Sequence, residues 1–103
     1  MRYLIIAGGD TVQPELLLSL AKNADRIICA DFGAETARRN NILPNAIIGD
    51  FDSLSEGTIA YFKRIDMMEV IEVCDQETTD LEKSLILALS REAGEIIITC
   101  ATG

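Results

Sequence analysis

The stretch Ala46-Ile47-Ile48-Gly49-Asp50-Phe51-Asp52-Ser53 joins a short apolar run without alternation to an acidic turn. Consecutive apolar residues with no polar partner face describe a strand covered on both sides, as in a parallel sheet. Runs of the same kind recur at Tyr3 to Ala7, Ile27 to Ala30, Val70 to Cys74 and Ile96 to Cys100. The fourth is flanked or interrupted by Glu69 and Glu72, which predicts a less buried strand.

Helical patterns fill the intervals. Pro14 suits a first helical turn, and Leu17, Leu20 and Ala21 follow at one-face spacing. Ala34 to Arg39 is a shorter candidate stopped by Asn40-Asn41 and Pro44, and a third runs from about Ser55 to Arg64 with Ile59 and Phe62 inward. The clearest spans Thr79 to Ala93, with Leu81, Leu85, Ala88 and Leu89 on one face and Gly94 at its end. Strand and helix alternating to a fifth strand predict one α/β domain over residues 1–103, a three-layer αβα arrangement with a mostly parallel, Rossmann-like sheet. Ala101-Thr102-Gly103 follow the last strand, so the chain is expected to stop within a motif.

Composition narrows the chemistry. The 103 residues are 49% hydrophobic and 25% charged, with 17 acidic and 9 basic side chains, a net charge of -8 and no His. Ser-His-Asp triads, Cys-His pairs and most zinc sites need an imidazole, which leaves carboxylates and a hard cation as the means of catalysis. The acidic balance argues against a nucleic-acid partner, whereas a divalent cation could bridge the chain to a polyanionic nucleotide. No apolar stretch approaches the ~20 residues of a membrane span. Three Cys without a close pair read as small core side chains in a reducing, cytoplasmic compartment.

The carboxylates fall in a pattern. Asp10, Asp31, Asp50, Asp52, Asp75 and Asp80 each follow a predicted strand directly or within a short loop, which gathers them on the carboxyl edge of the sheet, where ligands bind. Extended backbone through residues 47–53 would project Asp50 and Asp52 to one side and Phe51 toward the core. Paired carboxylates repel unless a cation or proton is shared, and Mg²⁺ takes hard oxygen ligands while bridging to phosphates. Asp10 and Asp75 read either as members of this edge or as the helix caps and Asx turns that commonly follow strands. Thr79 and Glu82 fit a capping box and Asp80 suits the helix dipole, so residues 75–83 read equally as a capped helix or a site. Lys83 reads either as a phosphate ligand or as part of a solvated face. Gly8-Gly9 and Gly33 would let phosphate approach the backbone, but match neither GxGxxG nor a P-loop.

Four blocks together resemble the catalytic domain of the thiamine pyrophosphokinase (thiamine diphosphokinase) family: Ala30-Asp31-Phe32-Gly33-Ala34, Gly49-Asp50-Phe51-Asp52-Ser53, Asp75-Gln76 through Thr79-Asp80-Leu81-Glu82-Lys83-Ser84-Leu85, and Ala101-Thr102-Gly103. The resemblance implies pyrophosphoryl transfer from ATP to the hydroxyl of thiamine, with release of AMP. It implies Mg²⁺ on Asp50, Asp52 and Asp80, with Asp52 or Asp80 taking the hydroxyl proton. Asp31, Gly33, Ser53, Gln76, Thr79 and Lys83 would line the nucleotide and phosphate region. Phe32 stands where the family has Gly. The family continues past Ala-Thr-Gly into Gly-Arg, a later Asp-His and an all-β domain that completes the thiamine site and a homodimer, none of which is in this chain. The alternatives are a pterin pyrophosphokinase-like enzyme, a Mg-nucleotide module inactive alone, and a haloacid-dehalogenase-like phosphatase, whose Asp-x-Asp motif Asp50-Phe51-Asp52 resembles.

Overall fold

Four of the five strands begin one residue before their apolar run, on a charged side chain. Backbone pairing needs no apolar residue, and a charge at the first position stays in solvent. The computed structural model describes residues 1–9, 12–51, 54–66, 68–73 and 80–100, Asp80 in its backbone only. The order is β1 (Arg2–Ile6), α1 (Pro14–Asn23), β2 (Arg26–Ala30), α2 (Gly33–Arg39), β3 (Ala46–Gly49), α3 (Glu56–Lys63), β4 (Glu69–Glu72), α4 (Asp80–Ser90) and β5 (Glu95–Thr99).

All strand pairs are parallel and the sheet order is β4-β3-β2-β1-β5. From β1 the chain steps outward to β4, then returns through α4 to the far side of β1. Right-handed crossovers that reverse direction put their helices on opposite faces. Accordingly Leu17 of α1, Ala34 and Ala37 of α2 and Phe62 of α3 pack with Leu4, Ile6, Cys29 and Ile47. Ala88 of α4, with Leu81 and Leu85, packs on the alternate residues Tyr3, Ile5, Ile28 and Ile48. Successive strand residues serve opposite cores, so the runs could not alternate in polarity. This is the three-layer αβα fold, and β4 is an edge strand whose residues are half-buried or exposed.

The charged strand starts form a polar layer at the amino edge. Arg91 forms a two-point ion pair with Glu69, holding that carboxyl below its usual range. Arg2 Nε lies 3.1 Å from Glu95 Oε1 as an ion pair, though without the alignment of a hydrogen bond. The Arg2 N–H donates to Asp25 Oδ2 at 2.7 Å, and the Ile27 N–H to Asn45 Oδ1 at 2.8 Å.

Cys29 and Cys100 are buried free thiols, as read from the sequence, while Cys74 lies outside the described residues. Burial, followed by the nearby Cys100, pushes the Cys29 thiol far up, so the reactive thiolate is suppressed. Cys29 is expected to resist a disulfide reagent in native buffer and to react only in denaturant. Rapid labelling of the native chain, located at Cys29 by mass spectrometry, would contradict this packing.

Candidate functional site at the carboxyl edge

Strand order reverses at β1, so the topological switch point lies between β1 and β5. Pairing there persists beyond the strands: the Ala7 N–H donates to the Thr99 carbonyl at 2.9 Å and the Gly9 N–H to the Cys100 carbonyl at 2.6 Å. The ladder continues likewise across the middle of the sheet. The Asp31 N–H donates to the Ile48 carbonyl at 2.9 Å, and the Val73 N–H to the Gly49 carbonyl at 2.8 Å. Asp31 and Asp50, both half-buried, therefore leave adjoining strands β2 and β3 at positions defined by backbone hydrogen bonds.

The backbone twists sharply on leaving these strands. Five described non-glycine residues have positive φ; Asn41 and Glu92 follow the ends of α2 and α4, where a left-handed residue is usual. The other three are Asp31 (φ 48°), Phe51 (φ 65°) and Cys100 (φ 58°), all just past strand ends at the carboxyl edge. The expected continuation of extended backbone through residues 47–53 is thus corrected. β3 ends at Gly49 and the chain turns at Phe51, so strand alternation does not set the relative directions of Asp50 and Asp52. Phe51 does enter the core, as expected, at 7% exposure. Its left-handed backbone costs about 1–2 kcal/mol, and burying the ring contributes roughly as much or more.

Gly33 has a role that local sequence does not reveal. A Cβ there would overlap the Ile6 carbonyl oxygen and lie 2.8 Å from the Ile6 carbonyl carbon and 3.1 Å from the Ala7 oxygen. Only glycine lets the first residue of α2 cross the end of β1, a requirement that needs no ligand. Gly8 likewise accommodates Phe32: a Cβ on Gly8 would sit 3.2 Å from Phe32 Cβ and 3.3 Å from its nitrogen. The Phe32 ring lies under the Arg39 guanidinium, 5.5 Å from centroid to Cζ.

Lys83 is buried at 9% exposure, one residue before fully buried Ser84, which corrects the solvated-face alternative. Long ammonium side chains are rarely withdrawn from water without partners. α4 begins at Asp80, and the side chain of Asp80 lies outside the described residues, as do Asp10, Asp52, Ser53, Asp75, Gln76, Thr79 and Ala101 to Gly103. Among the described residues no group of three His, Cys, Asp or Glu gathers as a metal site. Two polar cavities, of about 460 and 380 Å³, lie at the opposite, amino edge against Arg2, Asp25 and Glu95 and against Arg26, Asn45, Glu69 and Arg91. They belong to the ion-paired layer rather than to the aspartate edge.

Sequence reading passed over Glu35. Ser55 was legible as a helix start, and it caps α3 by accepting the Thr58 N–H at 3.2 Å. That cap is itself held by the Glu35 carboxylate, 20 residues away, a pairing with no local signal.

Fold and edge together define an open, parallel α/β domain with half-buried aspartates on the carboxyl edge of its central strands. The chain belongs to the thiamin pyrophosphokinase family, whose catalytic domain matches residues 17–103. Thiamine pyrophosphokinase 1 of Arabidopsis thaliana is 27% identical over 100 residues, covering 82% of this chain and 37% of that protein. Among solved structures, thiamine pyrophosphokinase from Bacillus subtilis superposes with a TM-score of 0.83 at 26% identity, covering all of this chain and 48% of that one. Thiamin pyrophosphokinase from Candida albicans gives a TM-score of 0.75 at 28% identity, covering 87% and 32%. The chain thus spans about a third to a half of the length of these relatives. No helix among the described residues is long and apolar enough to cross a membrane.

Gly33→Ala is expected to destabilise the fold by about 3 kcal/mol or more, the upper range for overpacking, because its new methyl meets rigid backbone. Urea denaturation measures the loss, and wild-type stability would contradict the α2–β1 approach.

Proposed function

We propose that this chain binds ATP and Mg²⁺ for pyrophosphoryl transfer to the hydroxyl of thiamine, the reaction giving thiamine diphosphate and AMP. The observation that carries this reading is the position of Asp31 and Asp50 on adjoining carboxyl ends, in a chain of this family. Their donor chemistry fits the ion: hard carboxylate oxygens are what Mg²⁺ takes, and an edge of half-buried aspartates in a chain of net charge -8 favours a divalent cation. Asp50, Asp52 and Asp80 would hold it, with Asp31 beside them. When bound, it supplies charge neutralisation for the phosphates and a fixed alignment of the groups that react.

The protein's own residues do the rest. The thiamine hydroxyl oxygen attacks the β-phosphorus of ATP as the bond to the AMP oxygen breaks, and Asp52 or Asp80 takes the hydroxyl proton. Transfer of this kind depends on alignment and electrostatics more than on covalent chemistry, so a chain without His is equipped for it. Lys83, Ser53, Gln76, Thr79 and the backbone at Gly33 are the proposed phosphate-side contacts.

The test is set on binding, which asks nothing of residues beyond these 103. Titration calorimetry with ATP and MgCl₂ is expected to show magnesium-dependent binding that Asp50→Asn weakens at least about tenfold, with the folded circular dichroism retained. Unchanged affinity in Asp50→Asn would refute the metal assignment. Any nucleotide turned over in the presence of thiamine is expected to appear as AMP; inorganic phosphate together with phosphoryl label on Asp50 would instead indicate a phosphatase.

A further inference from the structure

We propose that Glu35 is a positioning residue for the aspartate-bearing segment between β3 and α3, acting through Ser55; this rests on the proposed role of Asp50 in Mg-nucleotide binding. The segment enters from the backbone ladder at Gly49 and is anchored midway by Phe51 and Leu54, both buried, with the Leu54 N–H donating to the Phe51 carbonyl at 3.1 Å. Its exit is Ser55. There the backbone N–H donates to Glu35 Oε1 at 3.2 Å, and the hydroxyl donates to the same oxygen at 3.1 Å.

The tether continues through one buried hydroxyl. Thr58 is fully buried; its Oγ1 accepts from Arg38 Nη1 at 2.8 Å and lies 3.0 Å from Ser55 Oγ. The Arg38 guanidinium donates to Thr58 Oγ1, and the Ser55 hydroxyl is shared between Thr58 Oγ1 and the Glu35 carboxylate. Both charged ends come from α2 and both hydroxyls from the start of α3. Charge-assisted bonds at each end make the chain stronger than the Ser55 cap alone. Burial by itself would raise the Glu35 pKa; bonds from Thr58 and Ser55 and the charge of Arg39 outweigh it, and the carboxyl lies below its usual range.

Position makes this more than a helix cap. Glu35 is in the first turn of α2, one turn beyond Asp31, so a single rigid turn joins the Asp31 strand end to the far end of the Asp50 segment. The Asp31 N–H to Ile48 bond ties the same two pieces at their near end. The two ties act at the two ends of a segment that buried Phe51 and Leu54 anchor between them, and together they define the separation of Asp31 and Asp50.

The test combines calorimetry with amide hydrogen exchange on wild type, Glu35→Ala, Glu35→Gln, Asp50→Asn and the Glu35→Ala/Asp50→Asn double variant. Glu35→Ala is expected to weaken Mg-ATP binding about tenfold and to speed exchange at the Ser55 amide, the loss of bonds to a charged group. Glu35→Gln keeps an oxygen acceptor and is expected to recover most of both. In the Asp50→Asn background the further loss from Glu35→Ala is expected to fall below about twofold, since coupled sites are non-additive. Equal losses in both backgrounds, or wild-type affinity in Glu35→Ala while Asp50→Asn is impaired, would overturn the proposal. If Asp50→Asn binds normally, the metal reading fails instead, and unchanged Ser55 exchange in Glu35→Ala then overturns the tether as well. Should Glu35→Ala not fold, Ser55→Ala, which removes one of the two bonds, is read by the same criteria.

Discussion

The crossing of α2 over the end of β1 is the constraint on which the rest of the edge depends. With no side chain at Gly33, the helix backbone comes down onto the Ile6 carbonyl. For that to happen the chain must leave β2 abruptly, and Asp31 adopts a left-handed conformation to make the bend. Phe32 is then set against Gly8, and the first turn of α2 is brought within reach of Ser55. Helix, aspartate and tether are consequences of one close backbone approach.

The two ends of the sheet divide the charged residues between them by chemistry. At the amino edge opposite charges meet, as in Arg91 with Glu69 and Arg2 with Glu95, and they hold strand starts and helix ends in register. Exposed pairs of this kind contribute little stability each, so their value is in fixing geometry. At the carboxyl edge Asp31 and Asp50 bring charge of one sign to adjoining strands.

Much of this was legible in the residues. Each strand was visible because a central parallel strand serves two cores and must be apolar without interruption, and β4 stood apart as a less buried run because of Glu69 and Glu72, although its edge position was not legible. The helices were legible from one-face spacing, with ends shifted by a residue or two where caps such as Ser55 decide the boundary. Placing Asp31 and Asp50 on one edge needed only the strand–helix order. The direction of Asp52 relative to Asp50 was not legible, since alternation holds only while the backbone stays extended, and burial of the Phe51 ring sustains a turn that local preference disfavours. Lys83 was ambiguous for a related reason: its helical position is compatible with solvent, and only the packing of α4 on the sheet withdraws it from water.

By itself, then, the amino-acid sequence determined the layer architecture, the acidic edge and the family, because polarity period and short motifs are local properties that survive any later packing. Tertiary structure alone decided that Gly33 serves the β1 crossing, that Phe51 turns the chain inward, and that Glu35 reaches Ser55. Each of these is a contact between segments distant in sequence or a strain supported by them. Such contacts exist only once the sheet has brought β1, β2 and β3 side by side.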